Sequence, residues 1–234
     1  EEKLVLTGGR AFPSPFGTFY APNISMDKVN GIGAWSEKDF VNAVRHGVSP
    51  EGKHYYPSFP YTAYANMTDQ DITDLWVYFK SIPESSKPSI DHDLPMYLRW
   101  RRPLAFWKIL NKREPIIELV SLDTTLQRGA YLVETLGHCG ECHTSRNFIG
   151  GLQYEYWLGG AKNPAGRGMI PNITSSKLNW NTEEIVEYLA SGFTPDFDVV
   201  GGHMVHVIEN TSKLTEEDRI AIAEYLKAIP GVQK

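Results

Sequence analysis

Wherever the alternation of apolar and polar positions is regular, its period is helical. The run from Thr124 to Leu136 predicts an amphipathic helix. A second is predicted from Asn181 to Ser191, opened by the Asn181/Thr182 cap region with acids in its first turn and stopped by Gly192. Thr215 caps a third, with Glu217 and Asp218 in the first turn and Ile220, Ile222, Ala223 and Leu226 as its apolar stripe. Thr68 opens a matching helix earlier in the chain, carrying Ile72, Leu75, Trp76 and Phe79. Gly- and Pro-rich loops separate these segments, and no sustained period-two pattern predicts strands.

The pattern also repeats. Ala21-Pro22-Asn23-Ile24-Ser25 returns as Ile170-Pro171-Asn172-Ile173-Thr174, and Trp35-Ser36-Glu37 as Trp180-Asn181-Thr182. Gly47-Val48-Ser49-Pro50 returns as Gly192-Phe193-Thr194-Pro195, and both copies close on Ile-Pro, at Ile82-Pro83 and Ile229-Pro230. A nearly constant offset with small slips is what a duplicated domain with altered loops produces. The predicted organisation is a first domain over 1–83, a linker over 84–123 and a second domain over 124–234. The linker begins polar and turns aromatic and basic at Tyr97, Arg99, Trp100, Arg101, Arg102, Phe106, Trp107 and Lys108. It reads either as a segment packed between the domains or as a docking surface for a partner.

Composition narrows the function. The 234 residues carry a net charge of −5 and no basic stripe that would suit nucleic acid. No apolar run approaches the ~20 residues that cross a bilayer, so no membrane anchor is visible. The first residues do not resemble a secretion signal, and the absence of an initiating Met suggests a processed or partial N-terminus.

The two cysteines bring the chemistry. Cys139-Gly140-Glu141-Cys142-His143 reads as Cys-x-x-Cys-His, in which two thiols add across the vinyl groups of a haem and the adjacent histidine supplies an axial nitrogen. Zinc would need two more ligands, with no other cysteine present and only His138, His203 and His206 on offer. A thioredoxin-like dithiol belongs in a βαβ setting, which this pattern lacks. For the sixth iron position the expected ligand is Met204, in the glycine-bearing loop Val200-Gly201-Gly202-His203-Met204 ahead of the last helix. His203, His206 and Met169 are the alternatives, and core filling is the bland role for any methionine.

With these motifs in view, the whole chain resembles the dihaem cytochromes c and the cytochrome c subunits of periplasmic bacterial alcohol- and aldehyde-type dehydrogenases. The matching stretches include Gly8-Gly9-Arg10, Pro22-Asn23-Ile24, Tyr56-Pro57-Ser58-Phe59-Pro60-Tyr61 and Met67-Thr68-Asp69 in the first half. In the second half they include Arg128-Gly129-Ala130-Tyr131-Leu132, the Cys-x-x-Cys-His motif and Gly202-His203-Met204. The resemblance implies an all-α fold of two tandem class I cytochrome c domains with long loops. It also implies two haems c, a periplasmic location, and single-electron transfer between a dehydrogenase donor and a respiratory acceptor such as a cytochrome or oxidase. A chain of this kind is not expected to be an enzyme on its own. Alternatives are a haem enzyme of the thiosulfate dehydrogenase or peroxidase type, or a structural subunit with a haem-free first domain.

The first copy departs from the family pattern twice. It has no Cys-x-x-Cys-His, which is expected upstream of Glu1 unless this copy has lost its haem. The position matching Met204 is Phe59, which cannot bind iron. Met67 is the expected substitute ligand there, and packing beneath the aromatic loop is the alternative role.

Overall fold

The computed structural model describes residues 5–111, 123–164, 166 and 168–233. Of the segment read as a linker, residues 112–122 lie outside the described residues. The described chain is mostly helical with two small sheets, and divides into two compact units, the first built on residues 5–111 and the second on 123–162 and 168–233.

The first unit opens with an antiparallel ribbon of β1 (Ala11–Ser14) and β2 (Gly17–Tyr20). No strand is predicted there, because Pro13 and Pro15 break the alternation and β1 is largely exposed. Thr18 exchanges both backbone hydrogen bonds with Asp93 at 2.9 Å, fastening the later segment to the ribbon. Helix α1 (Glu37–His46) starts at a capping box between Ser36 and Asp39. It stops at Gly47, whose φ of 58° is left-handed and whose missing Cβ leaves room for the Tyr61 ring. The short α2 (Tyr61–Tyr64) and α3 (Asp69–Phe79, capped by Thr68) complete the core, with Phe40 5.0 Å from Trp76 and 5.3 Å from Phe79 between ring centroids. A further helix, α4 (Pro103–Leu110), belongs to this unit. Leu98 and Leu104 pack onto Phe19, Tyr56 and Leu94.

In the second unit α5 (Thr124–Ala130) is capped by Asp123 and continues as a π-helical turn over Tyr131–Leu136. The single α-helix expected over Thr124–Leu136 is thus widened in its second half. Leu132, Val133, Glu134 and Thr135 are buried in succession, which one stripe of period 3.6 does not provide. Next come α6 (Gly140–His143), the two-residue ribbon β3 (Ala161–Lys162) and β4 (Met169–Ile170), and α7 (Thr182–Ser191). The unit closes with α8 (Met204–Thr211) and α9 (Glu216–Ala228). Helix α9 crosses α5 at Gly129, where a Cβ would overlap the Ala221 carbonyl oxygen. Arg128 grips Asp218 through two bonds, at 2.7 and 2.9 Å, on the rim of that crossing.

One hydrogen-bond circuit recurs in both units. The Asn23 side chain accepts from Ser25 N and donates to the Ser85 carbonyl, while Ser85 N returns to the Ser25 hydroxyl. The Asn172 side chain accepts from Thr174 N and donates to the Val232 carbonyl, while Val232 N returns to the Thr174 hydroxyl. Each circuit fastens the tail that follows the Ile-Pro pair.

Candidate haem site

The Cys-x-x-Cys-His segment is held by its backbone. Gly137 N and Cys139 N bond the carbonyls of Leu132 and Val133, and His138 takes a left-handed φ of 39° that turns the chain into α6. Within α6, His143 N donates to the Cys139 carbonyl, placing Cys139 and Cys142 one helical turn apart, with neither in a disulfide. Gly140 lies against the Trp157 ring so closely that a Cβ would overlap it, which explains the small residue between the cysteines.

His143 is buried, at 9% exposure, and its Nδ1 lies 2.8 Å from the Pro171 carbonyl oxygen. A carbonyl only accepts, so Nδ1 carries the proton and Nε2 keeps its lone pair. Burial pushes the imidazole pKa below its usual range, outweighing the Pro171 bond that favours the charged form. The ring is therefore neutral at physiological pH, as a metal ligand must be. Cys142 is exposed as a residue, yet packing around its sulfur raises the thiol pKa; Glu141 adds to the shift and Arg146 opposes it. Glu141 and Arg146 also form an ion pair that braces the loop after the motif.

Met204 is the first residue of α8, one residue after Gly201-Gly202, rather than a residue of an open loop as expected. It is half-buried and packs on the same hydrophobic cluster as Cys139. The alternatives face outward: His203 is exposed, His206 is exposed and paired with Glu209 at 3.0 Å, and Met169 is 69% exposed. Among the described residues no three His, Cys, Asp or Glu side chains converge as a metal site, which leaves the zinc reading without support.

In the first unit Met67 is buried at 7% exposure, between α2 and the Thr68 cap of α3. Its carbonyl accepts from Arg45 at 2.6 Å, and the same guanidinium group meets the Asp69 carboxylate at 2.6 Å, so the Met67 backbone and the Asp69 side chain are both tied to α1. Phe59 lies on the rim of the unit, 6.0 Å from Tyr55 and 5.8 Å from Tyr64 between ring centroids.

Comparison with known proteins decides the family. The chain is 50% identical over its whole length to a dihaem c-type cytochrome of Cereibacter sphaeroides, spanning 79% of that protein. The chain belongs to the dihaem c-type cytochromes. This cytochrome is also 35% identical, over 97% of its length, to the fructose dehydrogenase cytochrome subunit of Gluconobacter japonicus, of which it spans 48%. It is 34% identical, over 95% of its length, to the gluconate 2-dehydrogenase cytochrome c subunit of Pantoea cypripedii, of which it spans 53%. It therefore covers about half the length of these two subunits. No protein-family profile matches the chain.

The donor set of the cytochrome suits haem c: two thiols outside any disulfide on one helical turn, a neutral imidazole with an available Nε2, and a half-buried thioether on the same apolar cluster. Two parts of the site escaped the sequence reading. The Pro171 carbonyl orients His143, although its Pro-Asn-Ile run was visible as half of the repeat. A buried chain runs from Trp157 Nε1 to the Tyr225 hydroxyl (3.1 Å) and on to the Glu134 carboxylate (2.6 Å). It offers no motif, because its three residues are scattered along the chain.

Proposed function

We propose that this cytochrome carries single electrons between a dehydrogenase donor and a downstream respiratory acceptor in the periplasm. The haem c would be attached through Cys139 and Cys142 and held at its iron by His143 and Met204. The observation that carries this reading is the orientation of His143: buried, neutral and protonated on Nδ1 toward Pro171, with Nε2 left as the donor atom. When bound, the haem supplies a reversible one-electron couple, and a Met/His pair raises its potential.

The chain's own residues do the rest. Cys139 and Cys142 fix the group to α6, so that it cannot dissociate between donor and acceptor. Pro171 holds the imidazole in one tautomer. Trp157 and the apolar cluster around Val133, Leu158 and Ile208 exclude water from the histidine side. The names of the relatives support a partnership with a dehydrogenase, but do not say which one.

The first unit, over 1–83, is read as a second class I domain in tandem with 124–234. Its haem would be held by Met67. The recurring asparagine circuit supports the tandem reading, and the burial of Met67 supports the ligand.

The test is acid-acetone extraction followed by haem staining of the denatured chain. Wild-type protein should retain haem on the polypeptide, and Cys139→Ser/Cys142→Ser should lose that attached to the second unit. Complete extraction of haem from the wild type would defeat the reading.

A further inference from the structure

Helix α4 is inverted. Lys108 points inward: its Nζ donates to the carbonyls of His46 and Gly47, at 2.5 and 2.8 Å, and lies 4.6 Å from the Tyr61 ring centroid. Arg101, just ahead of the helix, sits 4.7 Å over the Tyr56 ring, and Leu104 packs beside it. This inward edge follows helical spacing, so the register of α4 is fixed by its cation and the opposite edge faces solvent. That edge is apolar: Phe106, Ile109 and Leu110, at i, i+3 and i+4, are 64%, 74% and 59% exposed. The turn before it adds Tyr97 and Trp100, at 76% and 65%. An ordinary surface helix presents the reverse arrangement.

The charge around this edge is one-sided. From Leu94 to Leu110 the chain holds four cations, Arg99, Arg101, Arg102 and Lys108, and no acid, although its net charge is −5. Arg99 and Arg102 are exposed and flank the apolar edge. A protruding helix edge of aromatic and aliphatic side chains, rimmed by arginines, has the composition of a segment that lies in a membrane interface, apolar tips in the acyl boundary and cations among the headgroups. We infer that α4 and the turn before it dock this cytochrome peripherally onto an anionic phospholipid surface. Apolar contact and charge act together in this docking, and neither is expected to suffice alone. The inference goes beyond the electron-transfer reading and does not depend on which ligands hold the iron.

The test is co-sedimentation of the purified holoprotein with vesicles of phosphatidylglycerol and phosphatidylcholine, against vesicles of phosphatidylcholine alone. Wild-type protein should pellet with the anionic vesicles, much less with the neutral ones, and less as salt is added. Phe106→Ser/Ile109→Ser should weaken binding at least tenfold. Arg99→Gln/Arg102→Gln should weaken it roughly fivefold per cation removed at low salt. The conservative pair Phe106→Leu/Ile109→Val should restore binding, which separates loss of docking from loss of folding. Wild-type protein left in the supernatant with both vesicle types would overturn the inference. So would anionic binding that the serine pair leaves unchanged, or a wild-type dimer that the serine pair splits, since the edge would then be a contact between copies.

Discussion

Helices α3 and α9 occupy matching places in the two repeats, each capped by a threonine and each followed by Ile-Pro, yet they are buried to different degrees. Helix α9 buries Ala221, Ile222, Ala223, Tyr225 and Leu226, whereas α3 buries only Ile72 and Trp76. The contrast is sharpest at the paired tyrosines: Tyr225 is fully buried, and Tyr78 is 54% exposed. In the second unit α5 crosses α9 at Gly129, and the π-helical turn that continues α5 brings Glu134 to the Tyr225 hydroxyl. Burial of a helical position is thus set by the element packed against it, and the same stripe can serve one face or two.

The comparison can be broken most forcefully at the crossing. Gly129→Ala forces a methyl group into the Ala221 carbonyl, and is expected to cost about 3 kcal/mol or more in a denaturant melt of the holoprotein. A cost near zero would mean that α5 and α9 do not meet as described. Next, Tyr225→Phe removes the buried donor to Glu134, with an expected loss of roughly 1–3 kcal/mol. Tyr78→Phe should stay within about 0.5 kcal/mol of wild type, so equal effects would erase the distinction between the two helices.

A further change sharpens the methionine assignment in the first unit. Met67→Leu conserves volume in a buried site and should cost less than about 1.5 kcal/mol. It should still abolish the sulfur-to-iron charge-transfer signal of one haem. An unaltered spectrum would return Met67 to core packing, the role its counterpart Leu214 already has.

The smallest effect is electrostatic and belongs to the second unit. Hydrogen bonding from Arg128 holds the Asp218 carboxyl below the usual aspartate range, with burial opposing and the charge of Arg128 assisting. A depressed folded-state pKa adds stability above the unfolded value and loses it as pH falls through the folded value. Arg128→Gln should therefore flatten the acid limb of the stability curve below about pH 4, by less than about 1 kcal/mol because the pair is partly solvated. An unchanged acid limb would show that the pair contributes nothing at the crossing.

Much of this was legible in the sequence because it is local. The threonine and asparagine caps, the glycine stop at Gly192, and the Cys-x-x-Cys-His run need only neighbouring residues to be read. The π-helical turn at Tyr131–Leu136 was not legible, since its widening depends on what packs against Leu132 through Thr135. Helix α8 was hidden behind Gly201-Gly202, whose turn resembles a loop that continues through Met204. Helix α4 was hidden by its inverted polarity: Lys108 reads as a surface residue until the carbonyls of His46 and Gly47 are seen beneath it. The partners of His143 and Tyr225 are distant in sequence, and a single chain carries no signal that joins them.

The central claim is that His143 and Met204 hold the iron of the haem joined to Cys139 and Cys142. Its most direct measurement is a potentiometric titration of the purified holoprotein against Met204→His, followed in the visible spectrum. Exchange of a thioether for an imidazole should lower the potential of one haem by on the order of a tenth of a volt or more, a fraction of the ~0.8 V that axial ligands span. It should leave the haem covalently attached. A variant that titrates at the wild-type potential would contradict the account.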